Sequence, residues 1–111
     1  MSYLQTTLNL RDISEVRGDA KAVHRETPSL PHRPLELTVI LPFGSERGSY
    51  QFEFRDASDR VFVSGQATAT IHTGNTEFTT HVDLSGAITG DYKFGWRQQP
   101  FNWNYSTVRL R

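Results

Sequence analysis

The sequence predicts an all-β domain, an immunoglobulin-like antiparallel β-sandwich of about seven strands. Three observations carry that expectation. Apolar and polar residues alternate with a period of two through most of the chain, as a strand needs when one face is buried and the other wet. No stretch keeps apolar residues at i, i+3, i+4 and i+7 over three turns, so helices are not expected. Clusters of Gly, Pro, Asp and Asn punctuate the alternating runs at roughly 8–12-residue spacing. At 111 residues the chain is expected to form one domain over residues 1–111 with a core of its own.

The elements follow in order. Leu4, Thr6, Leu8 and Leu10 give the first strand one face, and Tyr3, Gln5, Thr7 and Asn9 the other. Residues 13–34 break the pattern: they are polar, mixed in charge, and carry Pro28, Pro31 and Pro34, which disfavour a helix or a central strand. This reads as a long irregular connection with an edge strand near Val23. The simpler role is a surface crossover between sheets, and the sharper one is a functional loop. Alternation resumes at Leu35, Leu37, Val39 and Leu41, then at Tyr50, Phe52 and Phe54. It continues from Val61 and Val63 to Ala67, Ala69 and Ile71, and through Phe78, Thr80, Val82 and Leu84. Tyr92, Phe94 and Trp96 form the next row, and Val108 and Leu110 the last. Residues 42–45, 56–59 and 73–75 read as turns, with aspartate at 56 able to bond the backbone two residues on.

One device occurs twice. Residues 48–56 (GSYQFEFRD) and 90–97 (GDYKFGWR) both open on glycine, place tyrosine two residues later, and then alternate aromatic with polar. In sandwich domains a tyrosine at such a corner bonds back to the preceding backbone. Tyr50, Gly90 and Tyr92 are therefore expected to be structural corner residues, with glycine permitting positive φ and the phenol bonding a corner carbonyl or amide. The rival, an exposed aromatic platform of Tyr50, Phe52, Tyr92 and Trp96, would take Phe54 and Phe94 out of line.

Composition excludes several chemistries. Lys+Arg and Asp+Glu number 12 each, which gives no electrostatic reason to expect nucleic acid and little protection against self-association. With no cysteine there is neither a disulfide nor a thiolate metal site. His24, His32, His72 and His81 lack the close spacing of metal ligands. Asp56, Asp59 and Asp83 read as turn aspartates, since the loop is too short for calcium. No G-x-S-x-G elbow or phosphate loop is present, and no nucleophile–base pair can be named. No catalytic residue, metal or cofactor is expected. No apolar run approaches a membrane span, and residues 1–12 (MSYLQTTLNLRD) lack the basic start and apolar stretch of a signal peptide.

The final hairpin, residues 96–105 (WRQQPFNWNY), is the candidate contact region. Pro100, Phe101 and Asn102 form its tip. Trp103 and Tyr105 are expected on one face and Val108 and Leu110 on the other, with a bulge near Ser106 and Thr107. In the plain reading Trp103 caps the end of the core and Phe101 covers the hairpin. In the sharper one Arg97, Phe101, Trp103 and Tyr105 form a partner-binding edge, because such residues concentrate in interface hot spots.

Several stretches together resemble a known family. They are residues 8–12 (LNLRD), Arg17 and Gly18, residues 35–50 with LTVILPFGS and its following G-x-Y, residues 82–85 (VDLS), Gly90 to Tyr92, and residues 103–111 (WNYSTVRLR). This looks like the C-terminal extracytoplasmic β-sandwich domain of zinc-finger anti-sigma factors from Acidobacteria-like bacteria. In such proteins a zinc domain holds a sigma factor, a membrane helix follows, and the sandwich lies outside. The chain carries neither the zinc ligands nor the helix, so it corresponds to the sensor-side part. The resemblance implies a non-catalytic module with a protein partner, in an extracytoplasmic, periplasmic place. With Met1 as the true start, the expectation changes to a cytoplasmic adaptor that adds a sheet edge to a partner. A carbohydrate-binding module is the remaining alternative, and it requires coplanar exposed aromatics.

Overall fold

Alternation becomes strands almost everywhere it occurs. In the computed structural model, which describes residues 2–13 and 27–111, the strands are β1 Leu4–Asn9, β2 Ser29–Leu30, β3 Pro34–Ile40, β4 Gly48–Arg55, β5 Val61–His72, β6 Asn75–Asp83, β7 Gly90–Arg97 and β8 Asn104–Leu110. A 3-10 turn, Leu10–Ile13, follows β1. The strands form one sheet in the order β1-β3-β6-β5-β4-β7-β8-β2, curled nearly into a barrel.

The all-β class is what forms, but a sandwich of seven antiparallel strands is not. β5 explains why. Twelve residues long, it pairs with β4 over Val61–Ala69 and with β6 over Thr70–His72, so the two halves of the sheet remain joined. The sheet is also mixed. β1 lies parallel to β3, and β2 lies parallel to β8. Parallel neighbours need a long return connection: residues 10–33 lie between β1 and β3 in the chain, and residues 31–103 between β2 and β8. The described part of the proline-rich segment makes the eighth strand, β2, between Pro28 and Pro31. The edge strand expected near Val23 lies outside the described residues. At the far corner the chain crosses between halves: His32 N–H donates to Arg111 O, Leu84 N–H donates to Arg33 O, and Leu35 pairs with Leu4.

The duplicated stretch has a geometric meaning. Its two copies, β4 and β7, lie side by side and antiparallel, with Phe54 facing Phe94 and Phe52 facing Trp96. The Phe54 and Phe94 rings meet edge-on at 5.0 Å, and Phe52 bridges to Phe78 of the other half at 5.8 Å. Because the copies run in opposite directions, their tyrosine corners sit at opposite ends. Tyr50 donates to Glu46 O at 2.6 Å, and Tyr92 donates to Ile88 O at 2.9 Å while accepting from Ile88 N–H. Gly48 and Gly90 open the two strands at φ of 130° and 153°, which side-chain-bearing residues rarely adopt. Both tyrosines and all of Phe52, Phe54 and Phe94 are buried, and Trp96 is half-buried.

Two register expectations are corrected. The β7–β8 ladder runs unbroken from Gly90 opposite Leu110 to Trp96 opposite Asn104, with no bulge near Ser106. None is needed: odd-numbered Trp103 and Tyr105 and even-numbered Val108 and Leu110 fall on opposite faces by plain alternation. The irregularity lies in β5 instead. Phe54 faces Val63 and Arg55 faces Val61, leaving Phe62 as an extra residue that turns in against Tyr92 at 5.7 Å. Val61 is therefore exposed rather than on the inner row, while Val63, Ala67 and Ala69 pack on the core; Ile71, also expected inside, is exposed beyond the bulge, where β5 has left β4 for β6.

Gly65 lies opposite Phe52, whose ring covers it; a Cβ there would sit 2.7 Å from Phe52 Cζ. Gly65→Ala is expected to lose about 1–3 kcal/mol of unfolding free energy through overpacking. Tyr50→Phe and Tyr92→Phe are expected to lose about 1 kcal/mol each, since each strips a corner of its hydroxyl bonds. Urea unfolding with unchanged m-values checks all three.

Candidate functional site

The outer face of β5, β4, β7 and β8 carries the residues that alternate with the core rows. Gln51, Glu53 and Arg55 come from β4, Gly95 and Arg97 from β7, and Tyr105 from β8. Gln51 lies opposite Arg97, Glu53 opposite Gly95, and Gly95 opposite Tyr105. The two copies of the repeat differ here in a useful way. The first copy has Glu53 where the second has Gly95, and the two meet across the ladder. Without a side chain at Gly95, the Tyr105 ring lies flat over the strand; a Cβ there would come within 2.7 Å of Tyr105 Cε1.

From this arrangement a row of alternating functions is built. Arg97 donates from Nε to Gln51 Oε1 at 2.6 Å and places its guanidinium 4.8 Å from the centre of the Trp103 ring. Trp103 and Tyr105 are near-parallel, with centres 6.2 Å apart. Arg55 stands 6.0 Å from the Tyr105 ring. Beneath the row, Glu53 accepts from Arg55 Nε and from the Tyr105 hydroxyl. Glu53 is only 5% exposed although it points away from the core, because Tyr105 and Arg55 cover it. Burying a carboxylate is tolerable only with such partners. Arg55 also donates to Asp59 O at 2.9 Å, which ties the row to the β4–β5 turn. The hydrogen bond that Arg55 donates to Glu53, and the charge of that carboxylate, hold the Arg55 guanidinium pKa above its ordinary value. Among the described residues no carboxylate pairs with Arg97.

Of the four residues expected to form a contact edge, the structure brings Arg97, Trp103 and Tyr105 together on the sheet's outer face. Trp103 does not cap the core. Phe101 stands apart at the hairpin tip, 68% exposed, in a turn closed by its own N–H to Gln98 O. Beside the row, a shallow trough of ≈ 470 Å³ runs to β5 between Trp103, Arg97, Gln51, Ser64 and Gln66. Arg97 and Arg55 engage ring faces that a stacked sugar would need, so the row is a poor open platform.

Gln51, Glu53, Arg55 and Gly95 were not singled out from the sequence. The signal was present in the mismatch of the repeat, where glutamate is exchanged for glycine, but only strand adjacency gives that exchange a meaning. Elsewhere, Asp56 accepts from the N–H groups of Ser58 and Arg60, and Asp83 accepts from the hydroxyl and N–H of Ser85, which hold its carboxyl below the usual value. Both are turn aspartates. His81 stacks on Tyr3 at 4.4 Å, His32 meets the Arg111 carbonyl, and His24 lies outside the described residues. Among the described residues no three of His, Asp or Glu converge as metal ligands.

Arg55→Ala strips Glu53 of its charged partner and its cover. It is expected to cost about 1–3 kcal/mol, because a buried carboxylate is left with one phenol bond. Adding Glu53→Gln should return part of that loss, which a double-mutant cycle in urea measures.

Set beside known protein families, curated proteins and solved structures, the chain matches none of them.

Proposed function

We propose that the domain is a non-catalytic interaction module that holds a protein partner on the Arg97–Trp103–Tyr105 row, with Phe101 at its margin. The single observation that carries this reading is the row itself: two aromatic rings and an arginine without a carboxylate partner among the described residues, held in place on the outer face. Arginine, tryptophan and tyrosine dominate interface hot spots, and side chains already fixed in position lose less freedom on binding. The buried Glu53 serves as the anchor that keeps Tyr105 and Arg55 from swinging away.

The setting we propose rests on the resemblance of residues 8–12, 35–50, 82–85 and 103–111 to the sensor-side domain of zinc-finger anti-sigma factors. In that setting the domain is the extracytoplasmic, periplasmic part of a membrane-anchored transcription regulator. Partner docking alters the assembly or protease access of the parent chain. A glycan is the second reading, favoured only by the amide-lined trough next to Trp103.

The test is capture from the envelope fraction of the source bacterium with the immobilised domain, followed by affinity measurement with the captured protein. Trp103→Ala is expected to weaken binding by at least about 2 kcal/mol, and Phe101→Ala by about 1 kcal/mol, with urea midpoints showing that the fold persists. A captured protein that binds both variants as tightly as the parent would remove the row from consideration. Retention on polysaccharide resin, abolished by Trp103→Ala, would support the glycan reading instead.

A further inference from the structure

β5 is covered unevenly. One side is bonded to β4 over Val61–Ala69, and the other to β6 over Thr70–His72 alone. Among the described residues, no strand pairs with that second side along residues 61–68 and no loop backbone bonds to it. Such a row of free N–H and C=O groups is a template for another strand, and proteins normally guard it with lysine, proline, a bulge or brevity. Residues 61–71 (VFVSGQATATI) contain no charge and no proline. The bulge at Phe62 sits at the start, leaving Val63 to Thr68 regular. Of the two strands that end the sheet, β2 is guarded by brevity, two residues long between prolines, and β1 is six residues long, half the length of β5.

We propose that this edge pairs with the same edge of a second copy of the chain, antiparallel, about a twofold axis at Gly65. The occupant is argued from self-complementarity. In that register Ser64 lies opposite Gln66 of the second copy, and Val63 opposite its Ala67. Polar residues then meet on the outer face, apolar residues meet on the inner, and glycine meets glycine on the axis. Such mutual pairing is what an isologous interface requires. No charge opposes it locally, and the chain's formal net charge is zero, so two copies do not repel. The two sheets become one. Both Trp103 rows then face the same side, with the β7 strands about 24 Å apart, five strand spacings. The inference does not rest on the partner-docking reading, and it would make that face bivalent.

The experiment is sedimentation equilibrium of the full chain from about 1 µM to about 1 mM. A monomer–dimer equilibrium is expected, with the dimer dissociation constant raised about tenfold or more by Gln66→Lys, which sets lysines beside the axis. Near-UV circular dichroism of the Gln66→Lys protein should match the parent, showing that association and not folding was lost. Because the chain has no cysteine, mixing the Ser64→Cys and Gln66→Cys proteins under oxidising conditions reads the register directly, and a mixed disulfide is expected. A chain that stays monomeric across the range overturns the proposal. So does a dimer indifferent to Gln66→Lys, or a dimer that forms no mixed disulfide.

Discussion

The pairing of β4 with β7 is the contact on which the rest of the domain depends. It joins the two tyrosine-cornered strands along their aromatic rows, so one seam supplies both the centre of the core and the floor of the outer face. Phe54 and Phe94 fill the inside of that seam, and Glu53 against Gly95 sets its outside. Alternation makes these two jobs inseparable. A one-residue slip between β4 and β7 would send phenylalanines into water and glutamate and arginine into the core. The two corners, each closed by a phenol on the carbonyl four residues back, pin opposite ends of the seam against such a slip.

On the outer face the same economy appears. Burying Glu53 against strand backbone is unfavourable without partners, and its partners, Arg55 and Tyr105, belong to the same row of side chains on the outer face. Arg55 and the Tyr105 hydroxyl neutralise and cover the carboxylate, and in doing so become fixed themselves. Stability and presentation are thus served by one network. Side chains in this row are tied to one another and to the sheet, unlike the loop-borne Phe101 at the hairpin tip.

How much of this was legible in the sequence can be judged residue by residue. The inner rows were readable, because period-two alternation reports burial directly: Leu35, Leu37, Val39, Phe52, Phe54, Phe94, Val108 and Leu110 are all buried. Joining of the two halves was not readable, since nothing in the composition of residues 61–72 says where one strand leaves β4 for β6. The bulge at Phe62 was equally hidden, because an apolar triplet reads the same whichever two of its members turn inward. For the outer face, Arg97, Trp103 and Tyr105 could be picked by residue type. Glu53 could not, because a glutamate on a polar row looks solvated until its neighbour across the strand proves to be a glycine and the next one a tyrosine.

The corner at residues 32–35 holds both extremes of the sheet. Leu4 is paired there with Leu35, and the Arg111 carbonyl is bonded by His32. The start of β1 and the end of β8 therefore share one corner, so a pull on either strand is borne by the same few backbone bonds around residues 32–35.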